Sequence, residues 1–509
     1  MKNILKTTAA VMAITVASMG AVVSPSMAEG KLSVSVALDP GSWDPIDTFL
    51  VAWGAVGSNI YDGLTERDTS AKLHPGLATS WDVLDDGLRI QFKLREGVKF
   101  HNGEPFNAEA VKFTFDRMLG EIGAKGPQRA NYTSIKSVEI IDDYTVDFHL
   151  NQPDPVLLTK LAGYGAMIVP PKYIEEKGED YFNTHPVGTG PFSFVSYEPK
   201  VDLELTANPD YWGGAPKISD LEYRFISEKT TAVAELQAGR LDIVEDLPIS
   251  MLSVVKDDAK LDVMSTTGPA VYGLRFNNRD GITADVNVRK AIVMAVDRET
   301  IIKSLLAGEA EQIASFQSSL SFGFDPDLKP LPYNPEEAKK LLKDAGVAPG
   351  SEVQIDIRAG KPTFNEVVQA VGAYLQAVGL KAVIKPYENS VFLNDIVPQG
   401  KTGAMFQQSW GGWTLDYDNT AYLLYHTGQK WNPYGTDTKL DAMLEEQRPM
   451  TDVAKREELL KDIAGYIAND VLEMPLYSLK AIYGVNKRVE GFEPAPDNRV
   501  KFNTVSIKK

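Results

Sequence analysis

The 509-residue chain is expected to fold as an α/β protein of two lobes, with the backbone crossing between them twice and leaving a hinge. Three observations lead there. Short β-like runs dominate the first half, helix alternates with strand after about residue 285, and the last segments return to strand.

The first-half runs are Leu32 to Leu38, Arg89 to Leu94, Val138 to Ile141, Thr145 to Leu150, Pro191 to Tyr197 and Val201 to Thr206. Each alternates, is rich in Val, Ile, Phe or Tyr, and is bounded by Gly, Pro, Asn or Asp, as half-buried strands are. One helix interrupts them from Asn107 to Leu119, where Asn107 can cap and Ala110, Val111, Thr114, Phe115 and Met118 form one stripe. Later, Asn334-Pro335-Glu336-Glu337 combines an N-cap, a proline at the first helical position and a capping-box Glu. Ala338, Leu341, Leu342 and Ala345 then share a face before Gly346. Thr363 and Glu366 repeat the capping-box spacing, with a buried stripe from Phe364 to Val378 and Gly379 as the stop. Strands Glu352 to Arg358 and Lys381 to Lys385 follow these helices, which argues a largely parallel sheet. Asp452 to Asn469 reads as a long amphipathic helix, and Met474 to Tyr483 as a strand-like return that can rejoin the first lobe.

Residues 1 to 28 carry Lys2 and Lys6, an apolar stretch from Thr7 to Val23 and then Pro25-Ser26-Met27-Ala28, the three parts of a cleaved secretory signal. A mature chain would begin at Glu29. Losing those two lysines takes the formal charge from −17 to −19. So acidic a surface disfavours nucleic acid and anionic membranes as partners. With no cysteine in the sequence, disulfides, thiolate metal sites, cysteine nucleophiles and a lipid-modified N-terminal cysteine are all excluded. No second segment is long and apolar enough for stable membrane insertion, and a soluble periplasmic protein, expected as a monomer, is the natural reading.

Chemistry concentrates between Met405 and Asn419. An apolar strand-like run breaks into Trp410-Gly411-Gly412-Trp413-Thr414-Leu415-Asp416-Tyr417-Asp418-Asn419, crowding two indoles, a tyrosine and two carboxylates onto one turn. Such a loop can stack on a ligand and pair with its positive charge, although Trp and Tyr are also ordinary core residues. Catalytic constellations are absent by contrast. There is no HExxH, GxSxG, Walker A loop or complete GxGxxG, and the five histidines never take metal-chelating helical spacing. Neither a cofactor nor a bound metal is expected. A hydrolase using Asp416 and Asp418 as paired carboxylates is the rival from another class.

A series of runs follows in order along the chain: Ile60-Tyr61-Asp62-Gly63-Leu64, Leu77-Ala78-Thr79-Ser80-Trp81, Phe92 through Phe106, Pro186-Val187-Gly188-Thr189-Gly190-Pro191-Phe192 and Asn208-Pro209-Asp210-Tyr211-Trp212. Leu236 through Asp242, Val288-Arg289-Lys290-Ala291-Ile292 and Tyr333 through Ala338 continue it. Together these runs resemble the family 5 extracellular solute-binding proteins of ABC importers, the group holding peptide, glutathione, opine and nickel receptors. The resemblance implies a two-lobed type II periplasmic binding protein with an inserted domain. Lobe one would take 29–64, 186–275 and 475–509, the insert 65–185 and lobe two 276–474, with crossings near Leu274-Arg275-Phe276 and Glu473-Met474-Pro475.

It also implies a small zwitterionic ligand, a short peptide or an opine-like conjugate, with glutathione or a chelated metal as alternatives, delivered to an inner-membrane ABC permease. Peptide-binding members hold the ligand's α-amino group with an Asp of the loop after the tryptophan-bearing strand. Asp416 matches that position, and Asp418 remains open because the usual following Pro is missing. Trp410, Trp413 and Tyr417 would wall the ligand. Arg129, Arg358 and Lys361 are the candidate partners for a ligand carboxylate, and Trp53 either closes the cleft or is buried.

Overall fold

The computed structural model describes residues 29–508, so the leader assigned to residues 1–28 lies outside the described residues. Two large mixed sheets organise the chain. The first places Lys31–Val36 at its centre, parallel to Asp220–Phe225 and to Ile243–Val244, and extends outward through antiparallel partners to seven strands. The second has six, with Val271–Phe276 between Glu473–Leu479 and Met405–Trp410. A third, four-stranded antiparallel sheet is built from Ala78–Leu84, Arg89–Leu94, Thr145–Leu150 and Ile135–Asp142, and helix Ala108–Leu119 covers it.

Local signals mostly survive. Asn107 caps its helix by accepting from Glu109 and Ala110 N–H, Asn334 caps Pro335–Asp344, and Asp452 caps Val453–Asn469. The helix Pro362–Ala377 differs from expectation. Pro362 opens it one residue before Thr363, so Lys361 takes the N-cap place without a side-chain cap and the Thr363 capping box does not form.

The second sheet is also less parallel than helix–strand alternation suggests. Glu352–Arg358 runs parallel to both Lys381–Tyr387 and Met405–Trp410, but the other three pairings are antiparallel. The cause is topological. Val271–Phe276 runs away from the first lobe and Glu473–Leu479 runs back toward it, so the two must oppose each other.

Those two strands also locate the crossings. Leu261–Thr266 belongs to the first sheet and Val271–Phe276 to the second, so the chain crosses at residues 267–270 rather than at 274–276. The return is not one strand from 474 to 483. Glu473–Leu479 ends in the second sheet, Ala481–Asn486 starts in the first, and Lys480 is the whole link between them. The crossings lie side by side, with Thr266 opposite Ala481 and Val271 opposite Ser478. A Cβ on Gly268 would stand 2.2 Å from the Leu479 carbonyl oxygen, so only glycine lets them approach this closely.

Three of the runs quoted for the resemblance meet at one buried carboxylate. Asp62 accepts from Lys501 Nζ at 2.6 Å, Thr189 Oγ1 at 2.8 Å, Trp212 Nε1 at 2.8 Å and Tyr211 OH at 3.2 Å. Gly188 passes so close to Ile60 that a Cβ would lie 2.1 Å from its carbonyl oxygen. These residues therefore tie together chain segments around residues 60–62, 188–189, 211–212 and 501.

In the second lobe Glu473 is buried, accepting from Phe316 N–H at 2.9 Å and from Tyr425 OH. Burial pushes its carboxyl from an ordinary 4.5 up to about 8, against the pull of Arg275. The folded protein thus keeps a proton that the unfolded chain releases above 4.5. Stability from this group is complete below that pH and is lost as pH rises through about 8. Glu473→Gln should flatten the fall in melting temperature between pH 5 and pH 9, measured by circular dichroism. An unchanged slope would mean Glu473 titrates normally.

The interlobe cavity and its aromatic loop

A cavity of about 480 Å³ opens at the crossings, within the roughly 300–1,000 Å³ typical of small-molecule sites. Its walls come from both lobes. Phe49, Val51, Asp246, Ala481, Asp497 and Asn498 face it from the first lobe side, with Tyr164 beside them. Tyr272, Ser409, Trp410, Trp413 and Leu415 face it from the second, while Gly268, Pro269, Leu479 and Lys480 form its hinge end.

The aromatic loop sits where it does because Met405–Trp410 is an inner strand of the second sheet, buried at residues 405–408 and emerging at Ser409 and Trp410. Gly412 at φ 51° and Leu415 at φ 54° then turn the chain, and Leu415 N–H closes the turn on the Gly412 carbonyl at 2.7 Å. Trp410 is fixed by Nε1 donating to Asn419 Oδ1 at 3.1 Å. Trp413 reaches across to the opposite side. Its ring meets Phe49 edge-on at 5.2 Å, and its carbonyl oxygen accepts from Arg67 Nη2 at 2.9 Å.

The carboxylates of the same loop face the other way. Asp416 receives both terminal nitrogens of Arg456, at 2.7 and 2.8 Å, and its Oδ1 caps helix Tyr417–Tyr425 through Asp418 N–H at 3.0 Å. It is buried and outside the cavity lining, so the expectation that it stands ready for a ligand ammonium meets a carboxylate already neutralised. Asp418 accepts from Gln447 and lies 3.4 Å from Arg448 Nε, and burial raises its carboxyl above the usual range in spite of that arginine. Tyr417 is buried among Val271, Leu424 and Leu460 and does not reach the cavity.

The remaining candidates separate just as sharply. Trp53 is fully buried, stacked on Tyr61 at 5.9 Å. Arg129 and Lys361 are exposed, one on the short turn Arg129–Asn131 and the other before its helix, and neither lines the cavity. Arg358 ends strand Glu352–Arg358 and does not itself line the cavity; it reaches the wall by donating from Nη2 to the lining Ser409 Oγ at 2.6 Å, while its Nε is buried without a hydrogen-bond partner. Burial lowers its basicity, and Tyr272 partly offsets that. Sequence reasoning did not single out Phe49, Tyr164, Asp246, Tyr272 or Lys480. The exposed apolar run Phe49-Leu50-Val51 and the turn signal Gly268-Pro269 were the available clues.

Among the described residues no three metal-ligating side chains cluster, and no helix is long and apolar enough to cross a membrane. Residues 72–432 match the family described as bacterial extracellular solute-binding proteins, family 5 Middle. Di/tripeptide-binding protein 1 of Pseudomonas aeruginosa is 28% identical over 508 residues, covering 92% of this chain and 93% of that protein. Among solved structures, HbpA2 from Haemophilus parasuis is 26% identical and superposes with a TM-score of 0.86 over 94% of this chain and 100% of its own. DppA from Helicobacter pylori in complex with the peptide STSA, also 26% identical, gives 0.74 over 94% and 98%. The Pseudomonas and Helicobacter proteins are named as binding proteins, and the fold is that of the two solved structures. The chain belongs to the family 5 extracellular solute-binding proteins, the substrate-binding receptors of ABC importers.

Proposed function

We propose that this receptor works in the periplasm, after removal of its leader, and captures a small zwitterion of short-peptide type in the interlobe cavity. The observation that carries the reading is that both lobes wall one aromatic cavity at their only two crossings among the described residues. A ligand there touches both lobes, so it favours the closed arrangement by its differential affinity for the two states. Neighbours equally distant in sequence yet superposing at 0.86 and 0.74 fit a body whose lobes adopt different relative positions.

Trp410 and Trp413 supply flat apolar walls and exclude water. Arg358 is the carboxylate partner. It makes no ion pair among the described residues, and its unpartnered Nε–H is completed by a planar anion. A charge buried this way gains most from a counter-charge that arrives with the ligand.

A thermal-shift panel of dipeptides, tripeptides, opines, glutathione, sugars and metal chelates tests the ligand class, since binding to the folded state raises the melting temperature by mass action. Free dipeptides or tripeptides are expected to shift it, and small-angle scattering should show compaction with the same compounds. Arg358→Gln should weaken them on the order of 30-fold and erase any preference for free acids over C-terminal amides. Peptide hydrolysis by the clean protein would instead support the hydrolase reading. Asp416→Asn separates structure from recognition. It strands the buried Arg456 charge, so the ligand-free protein should lose about 3–5 kcal/mol of stability in urea titrations. A neutral result would free Asp416 for the ligand.

A further inference from the structure

We propose that Asp246, on the first-lobe wall of the cavity, takes the ligand's ammonium group, so that a zwitterion anchored at its other end by Arg358 spans the two lobes. This rests on the zwitterion reading above and specifies which carboxylate completes it.

Two acidic residues line the cavity, Asp246 and Asp497. Asp497 is engaged, accepting from Arg499 Nε at 2.8 Å and Nη2 at 2.5 Å. Asp246 is exposed to the cleft and takes a hydrogen bond from Asn498 Nδ2 at 3.0 Å, but no cation stands within ion-pair distance of it among the described residues. Its backbone is held at φ 50°, a left-handed conformation uncommon for a side-chain-bearing residue, two residues past the end of strand Ile243–Val244 of the first sheet. Beneath it Glu245 is buried, with its carboxyl pushed well above the usual range by burial and then by Asp246 itself.

Across the cavity the unsatisfied charge has the opposite sign. Lys480, the cation that lines this space, is paired, standing 3.5 Å from Glu309, whereas Arg358, held behind the wall through Ser409, lacks an acidic partner among the described residues. Tyr272 lies between, its hydroxyl pulled one way by Arg358 and the other by Asp246 after the effect of burial. One unpaired charge on each lobe, Asp246 on the wall and Arg358 directly behind Ser409, suits a ligand with both an ammonium and a carboxylate. A solute lacking either end bridges only one lobe to its counter-charge and closes the cleft less well.

Titration calorimetry with Ala-Ala, Ala-Phe and trialanine, their N-acetyl forms and their C-terminal amides tests the assignment. In the unmodified protein N-acetylation should weaken binding on the order of 30-fold or more. Asp246→Asn, which keeps a residue tolerant of left-handed backbone, should weaken the free peptides by that factor and bind free and acetylated forms alike. It should also retain the parent melting temperature. Arg358→Gln should keep the acetylation penalty and lose the amidation penalty. If Asp246→Asn binds free peptides with parent affinity and an unchanged acetylation penalty, Asp246 is not the anchor while the peptide reading stands. If none of these compounds saturates the unmodified protein, the zwitterion reading fails and this assignment falls with it.

Discussion

Two crossings laid edge to edge govern this molecule. Residues 267–270 and Lys480 are the connections between the sheets, and they run in opposite directions within touching distance. Leu479 N–H donates to Ala270 O at 3.1 Å, and Ser478 and Ser318 hydroxyls both hold the Gly268 carbonyl. A narrow double connection restrains sliding and leaves rotation about one line. It also dictates where a cavity can form, since the space nearest that line is bounded by both lobes in any arrangement they adopt.

Glu309 and Glu311 reinforce the connection from the second lobe. Ser265 donates to Glu309 at 2.9 Å and Thr267 to Glu311 at 2.6 Å, so first-lobe strand and crossing are both held by a short edge strand of the second sheet. The buried charges elsewhere play a different part. Asp62 with Lys501 and Asp416 with Arg456 join segments far apart in the chain, and each is a pair whose loss would strand its partner in a dry interior. They specify the arrangement around the cavity and leave it lined mainly by aromatic and apolar groups, with few polar ones exposed to a ligand.

Much of this was legible in the residues. Strands Arg89–Leu94, Thr145–Leu150 and Glu352–Arg358 stand where alternation places them, because half-buried strands write period two into the sequence. Trp410 and Trp413 reach the cavity because a turn after an inner strand must emerge at the sheet's end. The crossings were harder to see. From Met474 to Tyr483 only Ser478 and Lys480 interrupt an otherwise apolar run, so nothing in the pattern marks Lys480 as the point where one sheet ends and another begins.

By itself the sequence determined the family, the α/β character and the loop that carries the indoles, since periodicity, capping and turn chemistry are local and are written within a few residues. Tertiary structure alone decided which charges are free. Asp416 is neutralised by an arginine 40 residues away, and Asp246 and Arg358 come to bear on the same side chain, Tyr272, only after two sheets are joined at the crossings. A carboxylate's availability depends on which distant side chain arrives beside it, and no local pattern encodes that.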